Sequence, residues 1–262
     1  MNNIKFYDVT LRDGLQSLPN SMTLDEKKQL LHNIISKTDV KEIETGSLVS
    51  SKILPQMDNS LELYKYAEHT YPDRVFYMLI PNKKKLELAL SHSVKNFAFL
   101  TSTSETFQQK NINKSLLETQ IELKEMINML NPLFHKTKLY ISCVTECPCT
   151  GRQSISHVAD VLNNYLQYDV QNVCIADTCG TLTYNDFSQL LQLVNKNLMF
   201  KLSLHLHNHN NNIHIESIIQ HSLQNNIYTF DVSYFPIGGC PLLMNSHTEN
   251  LTYELFYKIN KI

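Results

Sequence analysis

The sequence predicts a closed (β/α)8 barrel, an α/β TIM-barrel fold in a single domain over residues 1–262. Three observations predict it. Strand-like and helix-like segments alternate along the chain, which implies parallel strands joined by crossover helices. The alternation supplies eight units, and 262 residues suit a barrel that typically needs about 250. No linker, low-complexity tail or Pro/Gly-rich boundary divides the chain. The runner-up, a doubly wound open sheet, usually carries a glycine-rich first turn. This chain has no G-x-G-x-x-G and only six glycines.

The elements follow in order. "IKFYDVT" (4–10) reads as the first strand. "TLDEKKQLLHNIISK" (23–37) reads as a helix that opens on a Thr23/Glu26 capping box. "VKEIET" (40–45), "VFYMLI" (75–80) and "NFAFL" (96–100) are strands two to four. "SLLETQIELKEMINML" (115–130) carries apolar residues at helical spacing. "KLYISCV" (138–144) is strand five, and "SISHVADVLNNYLQY" (154–168) the helix after it. "NVCIA" (172–176) is strand six, followed by the helix "NDFSQLLQLVNKNL" (185–198). In strand seven, "KLSLHLH" (201–207), Leu202, Leu204 and Leu206 take one face, and Ser203, His205 and His207 the other. "YTFDVS" (228–233) is strand eight, and a last helix spans roughly "SHTENLTYELFYKI" (246–259).

Composition excludes several classes. Formal charge is −2 with no long basic or acidic block, so nucleic acid and membrane surfaces have no compositional support as partners. No apolar run approaches a membrane span of about 20 residues. The start, "MNNIKFYDVT", lacks a hydrophobic signal core and an Arg-rich presequence, and "YKINKI" is not a peroxisomal signal. A cytoplasmic location is expected. Six cysteines then imply thiols rather than disulfides. "CPC" at 147–149 has no matching second pair, so most of these thiols are expected to pack as small apolar groups.

Chemistry in such a barrel gathers at the C-terminal ends of the strands. Strand one ends in Arg12-Asp13-Gly14, strand two in Glu44, and strand six runs into Asp177. Strand seven carries His205 and His207, and strand eight leads to "GGCP" with Cys240. Each alone has a plain structural reading; together they place capable groups on one rim. Carboxylates and imidazoles form a mixed oxygen–nitrogen site that suits Mg²⁺, Mn²⁺ or Zn²⁺. An open ion polarises a carbonyl or lowers the pKa of a bound hydroxyl. Arg12 would stabilise an enolate or carboxylate oxygen, and Cys240 could exchange a proton. This combination describes aldol- or Claisen-type cleavage or formation of a C–C bond.

"DVTLRDGLQS" (8–17) resembles the opening motif of the DRE-TIM metallolyases, which carry a pyruvate carboxyltransferase-like domain. "IETGSLVSSKILPQM" (43–57), "KNIN" (110–113), "SCVTECPCTGRQS" (142–154), "ADTCGT" (176–181) and "GGCP" (238–241) resemble the 3-hydroxy-3-methylglutaryl-CoA lyase branch of that superfamily. The blocks keep their order over nearly the whole chain. The resemblance implies a divalent cation, Mg²⁺ or Mn²⁺, held by Asp13, His205, His207 and Asn245. It implies Arg12 and Gln16 on the substrate, Glu44 and Asp177 as active-site acids, and Cys240 as the catalytic cysteine. Asp177 or His205 would take the proton of the C3 hydroxyl. The implied reaction cleaves 3-hydroxy-3-methylglutaryl-CoA to acetoacetate and acetyl-CoA, with a small acyl-CoA as substrate and a homodimer left open. A related acyl-CoA or 2-oxo-acid aldolase, a Claisen-type synthase and a non-catalytic binding barrel stay as alternatives. The chain departs from the pattern in a shorter stretch between "GGCP" and Asn245. It also has "NHNNN" (208–212) after His207, where a solvated loop is expected and His209 is not taken as a ligand.

Overall fold

The computed structural model describes residues 4–209, 213–239 and 248–260, so Cys240 and Asn245 lie outside the described residues. Eight parallel strands form a closed barrel: β1 (Lys5–Asp8), β2 (Glu42–Ser47), β3 (Val75–Leu79), β4 (Phe97–Ser102), β5 (Thr137–Ser142), β6 (Asn172–Ala176), β7 (Leu202–His205) and β8 (Thr229–Val232). Each pairs with its successor, and β8 returns to β1 in the register Tyr7↔Asp231. Helices α1 (Leu24–Lys37), α2 (Ser60–Thr70) and α3 (Lys83–Ser91) fill the first three crossovers. Both α4 (Glu105–Ile112) and α5 (Leu116–Asn128) lie between β4 and β5. Next come α6 (Ile155–Leu166), α7 (Tyr184–Leu193) and α8 (Ile215–Gln224), and α9 (Tyr253–Asn260) follows β8. The Thr23/Glu26 capping box is present, and α5 opens on a second one from Ser115 and Glu118.

Strand periodicity sorts the side chains into two layers. On β5, Leu139 and Ile141 face outward into the main core beneath the helices. Tyr140 faces the lumen, where it packs with Ala98, Cys174 and Ala176. Lys138 does too, because it reaches Asp231 of β8 and Glu44 of β2, strands that are not its neighbours. The outer core includes fully buried Phe76, Phe97, Phe187, Phe230 and Phe256, and such side chains each contribute about 1.5–3 kcal/mol on burial. Among the described residues no helix is long and apolar enough to cross a membrane.

Two segments differ from the sequence expectation. The first strand stops at Asp8, and Thr10–Gly14 form a π-helical turn that carries Arg12 and Asp13 over the barrel end. The last helix begins at Tyr253, not near Ser246. Thr248–Asn250 instead form a strand antiparallel to His207–His209, with His207 opposite Asn250 and His209 opposite Thr248. Thr248 and Asn250 are buried and Glu249 is exposed, the two-residue period of a strand. Asn208 and His209, expected in a loop, are therefore strand. Residues 210–212 lie outside the described residues.

Asp8 ties the end of the first strand to the start of the last helix. Its Oδ1 accepts from the Thr10 amide at 2.9 Å and its Oδ2 from the Tyr253 hydroxyl at 2.9 Å. Burial raises its pKa to about 6, although those donors oppose the shift. A carboxyl with a raised folded pKa favours folding below its unfolded value and loses that contribution as pH rises through about 6. Two units correspond to roughly 3 kcal/mol as an upper bound. Asp8→Asn is therefore expected to raise the urea midpoint at pH 7.5 but not at pH 4. An equal effect at both pH values would refute this.

Candidate active site

The turn at 10–14 and the end of β7 bring three side chains to one point. Asp13, His205 and His207 are buried, and one ligand atom from each lies within 4.8 Å of the others. The two imidazole Nε2 atoms are 3.2 Å apart, and Oδ2 of Asp13 is 3.9 Å from that of His205 and 3.6 Å from that of His207. β7 ends at His205 and a new strand starts at His207, yet both rings keep the shared face that the alternation implied.

The far side of each ring is fixed. Nδ1 of His205 lies 3.1 Å from Oδ2 of Asp231, and Nδ1 of His207 lies 2.9 Å from the backbone carbonyl of Asp177. Both partners are acceptors, so both Nδ1 atoms carry hydrogen. In the neutral rings the Nε2 lone pairs then face each other and the Asp13 carboxylate. Lone pairs in that arrangement repel unless positive charge lies among them. Burial disfavours the charged form of both rings; hydrogen bonding and charge from Asp13 outweigh it at His207, whose pKa is raised, but not at His205, whose pKa is lowered. Burial alone would also raise the Asp13 carboxyl. Arg12, followed by His207 and His205, holds it well below the usual carboxylate range. The donor set, one carboxylate and two imidazoles with oriented outer partners, fits a divalent cation.

Arg12 is clamped beside this trio. Its Nε donates to Oε2 of Glu44 at 2.7 Å, and its Nη1 donates to Oδ1 of Asp13 at 2.7 Å. Its Cζ sits 4.9 Å from the centre of the Tyr140 ring. Nη2 is buried and has no hydrogen-bond partner among the described residues. A buried guanidinium with one donor left over is suited to a substrate oxygen.

Arg12, Asp13, Gln16, His205 and His207 all line a cavity of about 600 Å³, the size of a small-molecule site. The bulge in β2 after Glu44 sets Ser47 and Leu48 on its wall. Gly46 in that bulge has φ +152°, and a Cβ there would come within 2.3 Å of Oγ of Ser60. Further out, the wall holds Leu54, Phe107 and the "KNIN" segment, with Lys85, Lys110 and Lys114.

Glu44 and Asp177 do not line the cavity. Glu44 is fully buried in mid-strand, against Arg12 and the Tyr140 hydroxyl. The Asp177 carboxylate accepts from the amides of Thr181 and Leu182 at 3.1 and 3.0 Å, and burial raises its pKa to about 6 against those donors. Its backbone carbonyl is the part that meets His207. Gln16 donates to Oδ1 of Asp13 at 2.6 Å and to the Gly239 carbonyl at 3.2 Å. The Gly239 amide donates to Oδ2 of Asp13 at 3.2 Å, so the chain entering the Cys240 segment is fastened to the trio. Of the thiols, Cys143, Cys147, Cys174 and Cys179 are buried and Cys149 is half-buried. Sequence reasoning missed Lys138, Tyr140 and Asp231. The signal was available: a lone Lys in "KLYISCV" and a lone Asp in "YTFDVS" are charges inside apolar strands.

Fold and site define a class: a (β/α)8 barrel with a one-aspartate, two-histidine cluster that could hold a cation at the strand ends, beside a clamped arginine. The chain belongs to the HMGL-like family, whose model matches residues 3–212. It is similar to hydroxymethylglutaryl-CoA lyase of Pseudomonas mevalonii, with 27% identity over 261 residues, covering 99% of this chain and 85% of that one. Solved structures give the same result. Hydroxymethylglutaryl-CoA lyase from Pseudomonas aeruginosa is 30% identical with TM-score 0.87, over 98% of this chain and 85% of the other. HMG-CoA lyase from Brucella melitensis is 25% identical with TM-score 0.89, over 100% of this chain and 91% of the other.

Proposed function

We propose that the chain is a carbon–carbon lyase that cleaves 3-hydroxy-3-methylglutaryl-CoA to acetoacetate and acetyl-CoA. The observation that carries this is the leftover Nη2 of Arg12, buried beside the Asp13–His205–His207 trio on the wall of one cavity. Asp13, His205 and His207 would hold Mg²⁺ or Mn²⁺, with Asn245 completing the set. When bound, the ion supplies Lewis-acid polarisation of the substrate oxygens. Arg12 binds the thioester oxygen and stabilises its charge as the enolate of acetyl-CoA develops. Glu44 and Tyr140 hold Arg12 in that pose. The C3 hydroxyl proton would pass to water in the cavity, because Asp177 does not line it and His205 has no nitrogen left, its Nδ1–H meeting Asp231 and its Nε2 facing the ion; Asp177 is assigned the orientation of His207. Cys240 returns a proton to the enolate carbon.

The lysines of the outer wall suit the phosphates of a CoA thioester. Lys110→Ala is expected to raise KM roughly tenfold with kcat nearly unchanged, the scale of one charge-assisted hydrogen bond. A fall in kcat at constant KM would sink that assignment. The function itself is tested by acetyl-CoA release from 3-hydroxy-3-methylglutaryl-CoA with added Mg²⁺ or Mn²⁺. A folded, metal-loaded chain that releases none would overturn it. Release from another 3-hydroxyacyl-CoA alone would keep the reaction and replace the substrate.

A further inference from the structure

We infer that Lys138 is a positioning residue of the cation site: it holds Asp231 against Nδ1 of His205 and thereby aims Nε2 of that ring at the point shared with His207 and Asp13. This rests on the proposal that the trio binds a divalent cation. Lys138 is fully buried and does not line the cavity, so it cannot act on substrate directly. Its Nζ donates to Oδ1 of Asp231, stands 3.9 Å from Oε1 of Glu44, and lies over the rings of Tyr7 and Tyr140 at 4.0 and 4.5 Å.

The two oxygens of Asp231 have divided tasks. Oδ1 takes the ammonium, which leaves Oδ2 to His205 at 3.1 Å and to the Tyr140 hydroxyl at 2.8 Å. With Oδ1 pinned, the carboxylate cannot rotate away from the imidazole. His207 needs no such device, because its Nδ1 is fixed by a backbone carbonyl. Nearby lumen residues, Ala98, Cys174 and Ala176, show that small uncharged side chains can fill this space. Burying a lysine there carries a desolvation cost that packing alone does not call for. The lysine also balances charge. The connected cluster holds two fixed cations, Arg12 and Lys138, against three carboxylates, Asp13, Glu44 and Asp231. One negative charge remains for a bound cation to meet.

The test is Mn²⁺ affinity, read by electron paramagnetic resonance on folded protein, without reference to turnover. Lys138→Met is expected to weaken binding by about 10- to 100-fold, the usual scale for an outer partner of a ligating histidine. Lys138→Arg should restore most of it. Asp231→Asn should weaken binding comparably, and Lys138→Met with Asp231→Asn should lose no more than Asp231→Asn alone. If Lys138→Met does not fold, the double variant removes both charges and carries the comparison with Asp231→Asn. Wild-type affinity in folded Lys138→Met would overturn the inference, as would additive losses in the double variant. A wild-type chain that binds no Mn²⁺ would instead overturn the cation site, and this inference with it. Mn²⁺ binding without lyase activity would overturn only the proposed reaction.

Discussion

Arg12→Lys is expected to keep the fold and the cation affinity and to lose about a thousandfold in kcat, the upper range for removing one donor to a developing oxyanion. The substitution preserves charge, so the loss isolates geometry. The guanidinium presents three separate edges: Nε to Glu44, Nη1 to Asp13, and Nη2 to neither. A single ammonium sits between the two carboxylates and has no rigid third direction left to offer. The lost interaction is absent from the bound substrate, because enolate charge develops only in the transition state and the enolate that follows. KM should therefore move far less than kcat. Mn²⁺ binding within a few-fold of wild type checks that the trio is intact. A kcat within tenfold of wild type would remove Arg12 from the chemistry and leave it as a clamp for Asp13.

Much of this arrangement was legible in the chain. The strand–helix alternation has a physical cause, parallel pairing with crossovers, and it located all eight barrel strands. His205 and His207 were legible because a spacing of two puts side chains on one strand face. Asp13 was legible because it follows the first strand directly. What the chain hid were relations between distant segments. Lys138 and Asp231 are far apart in sequence and meet only because the sheet closes and turns both into its lumen. Glu44 and Asp177 carry the right chemistry, but the sequence does not say which way a carboxylate faces. One turns to Arg12 and Tyr140, and the other to the amides after its own strand. Asn208 and His209 look like loop because their strand partner lies beyond the eighth barrel strand, at Thr248–Asn250.

His207→Ala carries the other large expected effect, a loss of at least a hundredfold in Mn²⁺ affinity with the barrel still folded. His207 is the ring whose pKa is raised: burial opposes its charge, but Asp13 and the Asp177 carbonyl favour it. Its Nε2 lies 3.6 Å from Oδ2 of Asp13 and 3.2 Å from Nε2 of His205, so it shares the point on which the trio converges. Removing it leaves one imidazole and one carboxylate of the trio, with Oδ2 of Asp13 3.9 Å from Nε2 of His205, and these with the proposed Asn245 hold a cation more weakly than the full set. Thermal unfolding reads the loss independently. A ligand at a hundred times its Kd adds about 2.7 kcal/mol to the folded state. At such a concentration Mn²⁺ should raise the melting temperature of the wild type, and at the same concentration it should leave that of His207→Ala almost unmoved. His209→Ala is the control. Its backbone pairs with Thr248 in the small sheet and the sequence reading does not take it as a ligand, so it should bind and melt as wild type does. Equal Mn²⁺ retention in wild type and His207→Ala would dismiss the ligand set. A large loss in His209→Ala would instead enlarge it by one histidine.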